Sequence, residues 1–146
     1  MSLNDNKRLI ERLYADGINR QDAAAAAAFY AEDAKNHGQT VGRAGMQKVF
    51  AALFAAFPDL NYRIVESTAE GDRVVCKVVM TATHRGQPTL RRAFSGMLAD
   101  AAPTDRQVEV LHFHSFRIAD GAIAEHAAVR DDLEMMFQLG LVRRPG

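Results

Sequence analysis

A change of rhythm at Pro58 constrains this chain more than any other feature. Ahead of it apolar side chains recur at helical spacing; behind it they recur at every second position, the period of strands. Met46, Val49, Phe50, Leu53, Phe54 and Phe57 form one apolar stripe, halted by Pro58 because a residue before proline is pushed out of the helical region. Further upstream Leu9, Ile10, Leu13, Tyr14 and Ile18 mark a first helix. Asp22 is placed to cap a second, whose alanines at 23–28 favour helix and close packing and are expected to lie against a sheet. Met1, Ser2 and Leu3 are given no structural weight.

Beyond Pro58, LNYRIVES, RVVCKVVMTATH, TLRRAFSGMLA and QVEVLHFHSFRI are predicted strands, separated by AEGD, RGQP and DAAPTD, all rich in turn formers. ADGA turns the chain into IAEHAAVR, and DDLEMMFQLG is a short closing helix with Gly140 as its stop. Helices followed by a long meander predict an α+β domain spanning residues 1–146. Its N-terminal helices should pack on one face of a strongly curved, mainly antiparallel sheet, leaving a cone-shaped hollow where a small ligand would sit.

Lys plus Arg and Asp plus Glu number 18 each, and only the terminal Arg143 and Arg144 stand out as like charge, so the chain lacks an electrostatic footprint for nucleic acid or an anionic membrane. The single cysteine, Cys76, excludes an internal disulfide. With no apolar run long enough for a membrane span or signal peptide, a cytoplasmic protein is expected.

The candidate chemistry lies in VEVLHFHSFRI. Alternation along a strand points His112 and His114 the same way, with Val108, Val110, Phe116 and Ile118. Two registers are open for the last hairpin. A two-residue turn on Asp120 and Gly121 sets Ile118 against Ile123 and buries Glu125 opposite Phe116. A three-residue loop over Ala119, Asp120 and Gly121 sets Ile118 against Ala122 and His114 against His126, and brings Arg117 and Glu125 to the same outer face. The second avoids an unpaired buried carboxylate and is the expected register. The inner face then carries His112, His114, His126, Ala128 and Arg130; the same phase groups Val74, Cys76, Val78, Met80, Ala82 and His84. With His37 placed where the chain enters the sheet and Phe94 in mid-strand, all five histidines are candidates for one cavity.

His112, His114 and His126 are the candidate acid/base groups, since imidazole titrates near neutrality. Tyr14, His37, Phe50, Phe54, His84, Phe94 and Arg130 are candidate substrate-binding residues, Tyr14 or Arg130 polarising an oxygen. An H-x-H pair plus a third histidine could bind metal, but no inward acid is evident to orient the rings, and no metal or cofactor is expected. Asp131, three residues before Glu134, reads as a helix cap, and Cys76 among valines as an inert buried thiol.

YAEDAKNHG, AAFPDL, VVCKVVMTATHRG and HFHSFRIADGAIAEHAAVRDDLEMMFQLG together resemble the SnoaL-like polyketide cyclase or ester cyclase family of the nuclear transport factor two superfamily, over nearly the whole chain. The resemblance implies the cone-shaped α+β fold, a homodimer or larger homo-oligomer built on sheet faces, and a pocket for a small hydrophobic molecule. It also implies ring closure by intramolecular aldol addition without metal or cofactor, using an Asp and a His. By that pattern His114 or His112 is the histidine, and the acid falls at or near Ala128, where this chain has none. The family's E-H-W reads Glu125, His126, Ala127, and its P-T-G-R reads Pro103, Thr104, Asp105, Arg106. The expected function is acid/base chemistry, aldol-type cyclisation or isomerisation, on a small carbonyl compound. The alternatives are a non-catalytic module of the same fold that binds a hydrophobic ligand, and a structural protein with a filled cone.

Overall fold

The computed structural model describes residues 2–146. Helix α1 (Leu3–Arg12) starts at Ser2, whose hydroxyl accepts the Asp5 amide at 3.1 Å while the Asp5 carboxylate accepts the Ser2 amide. Ser2 thus has the structural role that the sequence reading withheld from it, a capping box with Asp in place of Glu. A π turn (Leu13–Gly17) and a 3-10 turn (Ile18–Arg20) carry Tyr14 and Ile18 inward.

Helix α2 (Ala23–Ala27) is capped as predicted, the Asp22 carboxylate accepting the Ala25 amide at 2.9 Å. It packs against the π turn and the third helix rather than the sheet. A Cβ on Gly17 would come within 2.7 Å of Ala26 Cα, so the alanines serve close helix packing where a larger side chain would be excluded. Replacing Asp22 by Ala should cost about 1 kcal/mol. The check is the urea midpoint; an unchanged midpoint would deny the cap its role.

Helix α3 (Gly42–Ala56) carries the phenylalanine stripe, burying Met46, Phe50 and Leu53, with Phe57 fully buried at its C-terminus. The six strands are β1 (Tyr30–Asn36), β2 (Gln39–Thr40), β3 (Asn61–Glu70), β4 (Arg73–Thr83), β5 (Gln107–Ala119) and β6 (Ala122–Arg130). They form one mixed sheet in the order β2-β1-β6-β5-β4-β3, β1 running parallel to β6 and the other pairs antiparallel. The sheet is not closed into a barrel, and the helices pack on it as in the α+β cone expected from the sequence. Val74, Cys76, Val78, Met80 and Ala82 are buried on its inner face, as their phase predicts.

TLRRAFSGMLA is not a strand. β4 and β5 pair directly from Arg73↔Arg117 to Thr83↔Gln107, which leaves no free edge between them for a further strand. The segment instead makes a 3-10 turn at Ala93–Gly96, in which Phe94 and Ser95 adopt left-handed backbone (φ 53° and 57°). Such backbone is costly for residues with a Cβ and is held here by burial of Phe94 and Leu98.

The last hairpin matches neither predicted register along its whole length. Asp120 and Gly121 form a two-residue turn with left-handed φ at both, pairing Ile118 with Ile123. A bulge then shifts the ladder by one residue, so that Arg117 faces Glu125, Phe116 faces His126, His114 faces Ala128 and His112 faces Arg130. Glu125 returns to the outer side, 3.2 Å from Arg117 Nε, so the short turn does not bury its carboxylate after all. His126 and Arg130 reach the inner face as expected, through a bulge rather than a longer loop, and His126 lies diagonal to His114 instead of opposite it.

Helix α4 (Asp132–Gln138) closes the chain. Asp131 caps it, accepting the Glu134 amide at 3.2 Å, and Gly140 ends it with a left-handed φ of 73°.

Candidate active site

A cavity of about 360 Å³ opens between α3, the π turn, the inner face of β5 and β6, and the 3-10 turn at Ala93–Gly96. Leu13, Ile18, Met46, Phe50, Leu53 and Phe116 make its walls apolar; Tyr14, Asn36, Tyr62, His114, His126 and Arg130 bring polar groups to it.

The imidazoles form one hydrogen-bonded array. His126 Nδ1 lies 2.8 Å from Asn36 Oδ1, His126 Nε2 lies 2.9 Å from His114 Nδ1, and His114 Nε2 lies 3.2 Å from His112 Nδ1. The topology produces this line. Strand alternation puts His112 and His114 on one face, the hairpin bulge brings His126 beside His114, and the parallel pairing of β1 with β6 sets Asn36 against His126. Tyr62 packs on both β5 imidazoles, its ring centroid 5.5 Å from His112 and 5.3 Å from His114.

Burial disfavours the charged form of these rings. It holds His112 down to about 3, with the Arg130 charge adding to the effect. It likewise holds His126 down to about 3, aided by His37 and Arg130. His114 is pushed well below the ordinary histidine range by burial first and then by its two imidazole neighbours. The array is therefore neutral at neutral pH.

Both nitrogens of His114 and both of His126 are engaged within the array, so a ligand in the cavity meets their ring faces and edges. Other groups offer free polar atoms. The Tyr14 hydroxyl is buried without a hydrogen-bond partner among the described residues, and burial pushes its phenol well above its usual range. His37 sits at the rim in left-handed backbone (φ 52°), its ring 5.9 Å from that of His126. Burial and Arg130 lower its basicity. Arg130 is paired with Asp132 at 3.2 Å and lies 5.9 Å over the Phe94 ring; Ser95 Oγ reaches Asp132 at 3.4 Å.

Among the residues singled out by sequence, Tyr14, His37, Phe50, Phe94, His114, His126 and Arg130 line the cavity. His112 is bonded to His114 but does not itself line it. Phe54 and His84 do not line it either, against expectation. Phe54 stacks on Phe50 with ring centroids 6.3 Å apart, a turn further along α3. His84 keeps the inward phase of β4 but lies past its end, where its Nδ1 accepts the Thr104 amide at 3.1 Å and its ring packs on Phe57. Phe94 reaches the cavity from a turn instead of from mid-strand.

Sequence reasoning missed Asn36 and Tyr62. The phase of LNYRIVES could have put Tyr62 inward; nothing local could have shown that β1 pairs with β6. As a donor set for metal the array is unsuited, because its nitrogens face one another instead of a common point, and no group of three or more His, Cys, Asp or Glu among the described residues is arranged to hold an ion.

The fold and site are thus an open α+β cone with an apolar cavity and a line of imidazoles in its wall. The family model for SnoaL-like polyketide cyclases matches residues 8–139, and the chain belongs to that family. Among solved structures it is similar to AclR of Streptomyces galilaeus, a candidate hydroxylase, at 26% identity and a TM-score of 0.78, covering 99% of this chain and 87% of that one. IdmH of Streptomyces antibioticus, a candidate polyketide cyclase, is 27% identical with a TM-score of 0.73, covering 92% of this chain and 98% of that one. TsrD of Streptomyces laurentii shares the fold at 21% identity and a TM-score of 0.81, over 97% of this chain and 99% of that one. No curated protein matches the chain. Among the described residues no helix is long and apolar enough to cross a membrane.

Proposed function

We propose that the chain is a cofactor-independent acid/base catalyst. It holds a small hydrophobic carbonyl compound in the cone and moves a proton at the carbon beside the carbonyl, as aldol-type cyclisation or isomerisation requires. The observation that carries this reading is the continuous imidazole array in the wall of an apolar cavity. Neutral imidazoles can accept a proton, and a line of them can spread the charge over several rings. The unpartnered Tyr14 hydroxyl is a ready donor to a carbonyl oxygen, and Arg130 supplies positive charge where an enolate would form. Ala128, where the family pattern places an acid, lies directly opposite His114, and the hydrogen-bond partner of His114 on that strand is His126 instead.

A second reading, a ligand-binding module without chemistry, is favoured by the same array, since every nitrogen of His114 and His126 is already bonded. The deciding experiment follows exchange of the protons beside the carbonyl of benzoylacetone and 2-tetralone in heavy water by NMR. Catalysis predicts exchange faster than in buffer, lost on replacing His114. Binding without acceleration would establish the module.

Two further features support a cytoplasmic homodimer. Cys76 is a buried free thiol, which suits a reducing compartment. Val75, Leu111, Phe113 and Val129 are exposed on adjacent strands of the outer sheet face, with Val129 78% exposed. Lys77 and Glu109 add charges of opposite sign to that face, which suits a second copy about a two-fold axis. Sedimentation velocity should show a dimer that Phe113→Lys converts to monomer; a monomeric parent chain would refute the interface.

A further inference from the structure

The hydrogen bonds of the array carry a direction. Asn36 Oδ1 can only accept, so His126 carries its proton on Nδ1 and presents a lone pair at Nε2. His114 must then donate from Nδ1 and accept at Nε2, and His112 must donate from Nδ1. Reversing the order would need the Asn36 amide turned to donate, and would leave the lone pair of the line on His126 Nδ1, facing that amide.

We propose that Asn36 fixes one direction of hydrogen bonding through the array from the end at His126. Among the described residues His112 Nε2 then holds the only uncommitted lone pair of the array, and Asn36 is a positioning residue for the charge that the array carries. A proton added at His112 Nε2 can be passed on without change in proton count. The Nδ1 proton of His112 moves to Nε2 of His114, and that of His114 moves to Nε2 of His126, whose two N–H groups then stay bonded to Asn36 and His114, so a positive charge and not a proton is presented beside the cavity, where it would stabilise an enolate. The groups facing the array are Arg130 with its partner Asp132, His37, Tyr14, Tyr62 and Cys76, the cross-strand neighbour of His114. None of these carboxylate, phenol, thiol or imidazole groups hydrogen-bonds His112 Nε2 among the described residues, which leaves that atom as the port of the array. The functional half of the inference rests on the acid/base reading above; the bonding order does not.

The test uses the full chain with nitrogen-15 in its histidines, near neutral pH and without ligand. All three rings should show the proton on Nδ1 and a bare Nε2. Asn36→Asp keeps an acceptor and should preserve that pattern while raising the pH at which the array takes up a proton. Asn36→Leu removes the acceptor, so the His126 tautomers should mix and benzoylacetone exchange should fall at least about tenfold. A parent spectrum with the His126 proton on Nε2 would overturn the bonding order, as would Asn36→Leu with an unchanged pattern. Should Asn36→Leu not fold, an Asn36→Asp protein that gains its proton at the parent pH overturns the inference equally. If the parent chain shows the order but exchanges neither probe, the positioning role falls with the catalytic reading and the bonding order stands.

Discussion

Replacement of His114 by Ala is expected to slow exchange of benzoylacetone protons by roughly a hundredfold or more, while the affinity for the same probe changes little. His114 is the middle link, and removing it leaves His112 Nδ1 and His126 Nε2 without the partner each now has. Charge taken up at His112 could no longer be shifted to His126 beside the cavity, so the loss falls on a step in which charge develops. Binding draws mainly on the apolar walls built by Met46, Phe50, Leu53 and Phe116, which the substitution leaves in place. The variant should also lose some stability, about 1–3 kcal/mol for each buried polar group left unpaired. Circular dichroism and the urea midpoint must therefore accompany the kinetics. Parallel losses of rate and affinity would show that His114 binds and does not act in the transition state.

Acidification should unfold this protein through its histidines before its carboxylates matter. In the native state burial depresses His112 and His126 to about 3 and His114 in the same direction, whereas in the unfolded chain they titrate near 6.5. Between those limits the unfolded chain binds protons that the native chain does not, so stability falls with pH. The contribution is fully present above the unfolded value and is lost as pH drops from there toward 3. Each ring contributes a slope of about 1.4 kcal/mol per pH unit in that window, and the three together about three times as much. His37 and His84, also depressed by burial, act with the same sign. Glu125 and Asp59, whose carboxyls are lowered by Arg117 and Thr83, lose their share only at lower pH. Urea titrations at pH 7.5, 6.5 and 5.5 should show the midpoint dropping steeply, and His112→Gln should flatten the slope by about one ring's share. A flat profile over that range would mean that the rings gain protons without unfolding, and so are not held neutral by burial.

Much of the fold was legible because local chemistry settles it. Pro58 ends α3 at a fixed place, Asp22 and Asp131 cap helices with their own carboxylates, and alternation alone divides Val74–Ala82 and Val108–Ile118 between two faces. The family came from a resemblance carried by several motifs in order, and the family model over residues 8–139 agrees with it. Where alternation was the only guide it misled: TLRRAFSGMLA has strand rhythm but no edge to pair with, and His84 keeps the phase of β4 after the strand has ended.

What the sequence by itself determined was which side chains face inward along each strand, and therefore that His112 and His114 share a face. That follows from the geometry of an extended backbone, which every residue carries with it. Only the tertiary structure decided what those rings meet. The one-residue bulge beside the Asp120–Gly121 turn set His126 diagonal to His114, and the parallel return of β1 set Asn36 at the end of the line. Both depend on which strands pair and in what register, and pairing between residues 90 positions apart in the chain is chosen by the packing of the whole core.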